Sequence, residues 1–136
     1  MIGNDIIDLK LASVQSNWRR KGFLDKLFSI PEKRFVFDSR DPSAAVWRLW
    51  SMKESAYKIH VRRSKVRRFN PRKFACAFKT ETEGIVTGEQ RTYKTTTLMN
   101  GDFIHTIAME FDFDHCIYVG MIIKAHQNDL ASFTQK

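Results

Sequence analysis

Glu54 and Lys58 stand four residues apart in a run, residues 44–60, that contains no glycine or proline. On an α-helix they share a face, and Trp47, Trp50 and Tyr57 fall close to the same stripe. Two more carboxylates, Asp5 and Asp8, lie in the apolar segment IGNDIIDL, residues 2–9. A carboxylate from a strand and one from a long helix, if brought together, would hold a hard divalent cation and leave positions for water and phosphate oxygens. Forty-nine residues separate Asp5 from Glu54, so spacing alone does not establish that meeting. Plainer readings stand beside it: a Glu-to-Lys helix pair worth about 0.2–0.5 kcal/mol, and two aspartates that bond local backbone at a strand end.

The elements that must position these groups follow from pattern. Isoleucines around Asp5 and Asp8 predict a short buried strand ending near Lys10. Phe23, Leu24, Leu27 and Phe28 recur at helical spacing and Pro31 opens a second segment through Phe35, which predicts two short helices between residues 11 and 38. Asp41-Pro42-Ser43 starts the long helix over residues 44–60. After Asn70-Pro71 the pattern changes to strands, expected at residues 74–80, 84–90, 92–99, 103–111 and 115–124, with Asn100-Gly101 as a hairpin turn. Helices first and antiparallel strands second make an α+β fold, and 136 residues make one domain, 1–136, rather than two.

The net charge of +8 is concentrated. Nine of the 23 basic residues fall between Ser55 and Thr80 with no acid among them, so the rest of the chain is close to neutral. Such a stretch fits a polyanion: nucleic acid, an acidic protein, a membrane surface or a phosphorylated small molecule. Cys76 and Cys116 have no disulfide-framework or zinc spacing. With no apolar leader and no run long enough to cross a bilayer, a soluble, unprocessed cytoplasmic protein is expected.

The segment WSMKESAYK, residues 50–58, resembles the W-x-x-K-E-x-x-x-K signature of the 4′-phosphopantetheinyl transferase superfamily. IGNDIIDL resembles that superfamily's early G-x-D motif, and FLDKLFSIPEKRF, residues 23–35, the helical segment between the two. The resemblance spans roughly residues 2–60, with weaker similarity at FNPRKFAC. It implies transfer of the phosphopantetheine arm of coenzyme A to a carrier-protein serine, with Mg²⁺ as cofactor. Residue by residue, it implies Asp5 and Glu54 as metal ligands, Lys53 and Lys58 as the motif lysines that meet coenzyme A, and Glu54 as acceptor of the serine proton. Asp8 is a further candidate at the metal, direct or indirect.

Arg62, Arg63 and Lys65 follow this helix and are candidates for the nucleotide phosphates, with Arg48 a further phosphate contact. Arg19, Arg20 and Lys21 are candidates for an acidic acyl or peptidyl carrier protein. Asp8 matches the short, holo-acyl-carrier-protein synthase type, whereas Ile7 stands where longer, surfactin-type members have a second acid and Trp50-Ser51-Met52 looks like that longer type. Short members are homotrimers, so a homotrimer is expected. Residues 60–65 replace a Gly-rich turn common in the family, and His105 and His115 do not align with its C-terminal His, so neither joins the catalytic set. Two competing classes are a catalytically inactive member and a small nucleic-acid-binding module in which Phe69 and Phe74 flank the basic stretch and stack on bases.

Overall fold

The computed structural model describes residues 1–111. Strand β1 (Ile2–Asp8) leads into the helices α1 (Leu9–Gln15), α2 (Phe23–Leu27), α3 (Ile30–Asp38) and α4 (Pro42–Ser64). A single 3₁₀ turn (Pro71–Lys73) precedes the strands β2 (Ala75–Phe78), β3 (Glu83–Gly88), β4 (Arg91–Asn100) and β5 (Phe103–Glu110). All pairings are antiparallel and the sheet order is β1-β5-β4-β3-β2. The α+β expectation is met.

The helix starts are written in the sequence. Asp41 caps α4 by accepting the Ala44 N–H at 3.1 Å, with Pro42 in the first turn where its missing N–H costs nothing. Ser29 and Glu32 form a reciprocal capping box on α3. Lys65, in left-handed conformation at φ 60°, ends α4. This helix lies across one face of the sheet. Met52, Ala56 and Ile59 pack with Phe74, Val86, Tyr93 and Ala108, while Val46 and Leu49 pack with Phe28, Val36 and Ile104. The opposite face leaves Ile2, Ile6, Leu98, Phe103, Ile107 and Met109 exposed.

Several expectations are corrected. Among the described residues β1 pairs only with β5 and stands at the end of the sheet, and Ile2, Asn4 and Ile6 on its even-numbered side are exposed, so it is not the buried strand expected. Three short helices precede α4 rather than two. α1 escaped the pattern because it buries no residue and is held by the Asp8 cap. Gln90 belongs to a tight turn, with Glu89 and Gln90 both at positive φ, as a two-residue hairpin demands. The later hairpin turns at Gly101-Asp102, since Asn100 pairs with Phe103. The strand expected at 115–124, with His115 and Cys116, lies outside the described residues.

Candidate active site

Residues of β1 with odd numbers face α4. Gly3 permits the approach: a Cβ there would stand 2.1 Å from the Ser55 carbonyl oxygen. Two residues on, Asp5 meets the helix one turn beyond Glu54. The Lys58 ammonium donates to Asp5 Oδ1 at 3.2 Å and to the Asn4 carbonyl at 2.8 Å. Arg62, the next turn, donates to the Ile2 and Lys58 carbonyls. Thus the 54/58/62 stripe of α4 lies along β1.

The electrostatics agree with that placement. Burial and the neighbouring Asp5 carboxylate raise the Glu54 pKa, with Lys58 opposing them. Asp5 is mostly enclosed, its side chain 12% exposed, and its Oδ2 is buried with no hydrogen-bond partner. An orphaned carboxylate oxygen beside a second, desolvated carboxylate is an oxygen-donor set suited to a hard cation. Among the described residues no group of three His, Cys, Asp or Glu side chains gathers. Two carboxylates are what Mg²⁺ uses when phosphate and water supply the rest. A shallow depression of about 250 Å³ opens at Asp5, lined also by Asp8, Trp47 and Trp50.

The other predicted residues divide. Asp8 caps α1, its Oδ1 accepting the Leu11 N–H at 3.1 Å, and lines the depression at Asp5. Lys53, expected at coenzyme A, is fully buried on another flank of α4. Its ammonium bonds Glu32 Oε1 at 2.9 Å and the carbonyls of Pro71 and Phe74 at 2.8 and 2.6 Å. One residue of spacing turns a helix by about 100°, which separates Lys53 from Glu54. Arg48 is also turned away, stacked 4.4 Å over Phe78 of β2 and donating to the Thr80 carbonyl, at the sheet edge opposite Asp5. Burial lowers its pKa.

Arg63 pairs with Glu110 at 2.5 Å, whereas Lys65 is exposed at the helix end. Arg19, Arg20 and Lys21 are exposed in the loop before α2. The base-stacking role expected of Phe74 and Phe69 is not open to them. Phe74 is 1% exposed, and Phe69 stacks on Tyr57 at 4.3 Å and meets Trp50 at 5.5 Å. Sequence reasoning missed Glu32, whose Oε2 also accepts the Cys76 N–H at 2.9 Å. Its signal was the Ser29-x-x-Glu32 capping box. That carboxylate ties α3, α4 and β2 together.

A family model described as the 4′-phosphopantetheinyl transferase superfamily matches residues 1–108. Among solved structures, the holo-acyl-carrier-protein synthase of Helicobacter pylori, in complex with coenzyme A, superposes with a TM-score of 0.64 at 13% identity, over 82% of this chain and 100% of that one. The synthase of Neisseria meningitidis gives 0.66 at 13% identity, over 82% of this chain and 97% of that one. No curated protein matches the chain.

Proposed function

The chain belongs to the 4′-phosphopantetheinyl transferase superfamily, and on that premise we propose that it moves the phosphopantetheine arm of coenzyme A onto a serine hydroxyl of an acyl or peptidyl carrier protein. The observation that carries the reading is the meeting of Asp5, Glu54 and Lys58 across β1 and α4, with a buried, unpartnered oxygen on Asp5. The family's coenzyme A-bound relative supports the choice of donor.

Asp5 and Glu54 are the residues that would hold Mg²⁺. A bound divalent cation supplies positive charge at the pyrophosphate and helps align it for in-line displacement. Lys58 leaves Asp5 for a phosphate oxygen, where it acts as a point charge on the group being transferred. Arg62, one turn further, and the exposed Lys65 stand on the same end of the helix for the nucleotide phosphates. Glu54 takes the proton as the serine oxygen bonds phosphorus and the pyrophosphate P–O bond breaks, releasing adenosine 3′,5′-bisphosphate. Desolvation of Glu54 favours the protonated product of that transfer.

The whole chain is read as one transferase domain of the holo-acyl-carrier-protein synthase type, acting in the cytoplasm. Its exposed apolar sheet face, with Ile6, Leu98, Phe103 and Ile107, is the surface on which copies associate as a homotrimer. Among the described residues no helix is long and apolar enough to cross a membrane. Release of adenosine 3′,5′-bisphosphate that requires both Mg²⁺ and an apo carrier tests the reading. Release without a carrier, or none with any carrier tried, contradicts it.

A further inference from the structure

Beyond Ser64 the chain reverses at Lys65, in left-handed conformation, and returns along the flank of α4. Of residues 65–70 only Phe69 is half-buried, and the rest are exposed. Its ring stacks on Tyr57 at 4.3 Å with 27° between the planes, and meets Trp50 at 5.5 Å and Phe74 at 6.0 Å. Trp50 and Tyr57 stand four residues before and three after Glu54, so they bracket it on one face of the helix. Trp50 also lines the depression at Asp5. The far end of the loop is fixed separately: the buried Lys53 ammonium holds the Pro71 and Phe74 carbonyls, and Asn70 caps the 3₁₀ turn.

Between the two anchors stand Lys65, Arg67 and Arg68, all exposed and none paired with an acid among the described residues. Elsewhere in the acid-free stretch Lys58, Arg63, Lys73 and Lys79 each meet a carboxylate. Like charges this close repel one another, so the loop is not held by its own cations; the aromatic contacts of Phe69 supply the tie. Arg68 and Phe69 also line a groove of about 810 Å³ with Lys26, His60 and Lys73. We propose that Phe69 is a positioning residue for the donor: seated on Trp50 and Tyr57, it fixes the loop beside the transfer site, so that Arg67 and Arg68 meet phosphate groups at the nucleotide end of coenzyme A. This rests on the transferase function above and adds to Lys65 two cations and the ring that holds them. A loop ordered before the donor arrives spares binding the cost of ordering it.

Steady-state transfer with varied coenzyme A tests this in wild type, Phe69→Ala, Arg67→Ala/Arg68→Ala and the triple variant. The coenzyme A KM should rise about tenfold in the single and in the paired variant, while kcat at saturating coenzyme A and the carrier KM stay as in wild type. The triple variant should show no further rise, because Phe69 acts through the two arginines. An unchanged KM in Phe69→Ala or in the arginine variant overturns the proposal. So do effects that multiply in the triple variant, or a fall in kcat that follows a fall in Tm, because the ring then only packs the fold. Phe69→Leu, which keeps apolar volume without the stacked ring, takes the place of Phe69→Ala if that protein does not fold. If wild type modifies no carrier, calorimetric titration of the same proteins with coenzyme A separates the two readings. Wild-type binding that Phe69→Ala weakens, with no further loss in the triple variant, keeps the loop and rejects the transferase. Equal binding by wild type and Phe69→Ala rejects the loop, and no binding rejects both.

Discussion

The Lys58 ammonium nitrogen lies 3.2 Å from Asp5 Oδ1, across the junction of α4 with the edge strand β1. It neutralises one oxygen of a carboxylate whose other oxygen is buried and unpartnered. Lys58→Met therefore removes both the counter-charge of Asp5 and the proposed phosphate contact. A charge-assisted bond of about 1.5–3 kcal/mol corresponds to a loss of about 10- to 100-fold in kcat/KM for coenzyme A. Steady-state kinetics with varied coenzyme A measures it, and a wild-type value removes Lys58 from the phosphate.

Glu54→Gln should abolish turnover, by about 100-fold or more for a general base, yet stabilise the protein in EDTA. With its folded pKa above the unfolded value, Glu54 binds its proton more tightly when folded. Its cost to stability therefore grows as pH rises through the unfolded value, until the folded value is passed. The gain in Tm from Glu54→Gln should be present at neutral pH and vanish below the unfolded carboxyl value. Paired melting curves at the two pH values check this, and a pH-independent gain would contradict the assigned cause.

Lys53 and Glu32 form a buried pair with side chains 0% and 3% exposed. Lys53→Met or Glu32→Leu alone leaves the other charge enclosed, at a cost of about 3–5 kcal/mol. The double variant removes both charges and should recover part of that loss. Denaturant unfolding of the four proteins gives the coupling energy. Strict additivity would place the two residues in separate environments.

Gly3→Ala puts a Cβ 2.1 Å from the Ser55 carbonyl oxygen, so β1 and α4 must part. Overpacking of this kind costs about 1–3 kcal/mol. Because Asp5 moves with the strand, activity should fall further than stability, as a well-folded protein with weakened Mg²⁺ dependence. Equal activity would mean that the spacing of β1 from α4 does not matter to the site.

Much of this site was legible before the fold. The resemblance of two short segments to the superfamily's G-x-D and W-x-x-K-E-x-x-x-K motifs named Asp5, Glu54 and Lys58; the fold supplied the packing of β1 against α4 that brings Asp5 to Lys58. Helical spacing does not say which flank of α4 meets α3, so the burial of Lys53 against Glu32 was not legible in its place as a motif lysine. Nor does it say that Arg48 reaches toward Phe78 and the Thr80 carbonyl. The outer sheet face was illegible because Leu98 and Met99 interrupt the polar alternation of Lys94 and Thr96, a pattern that reads as core in one chain. Aromatics around the basic stretch suggested stacking on bases, but they stack on one another.

The most direct measurement is the intact mass of an apo carrier protein after incubation with this protein, coenzyme A and Mg²⁺, beside the same carrier with its acceptor serine replaced by alanine. The account predicts a gain of one phosphopantetheine group on the first carrier only, absent in EDTA and with Glu54→Gln. No gain across acyl and peptidyl carriers by the folded protein, or an equal gain with Glu54→Gln, contradicts it.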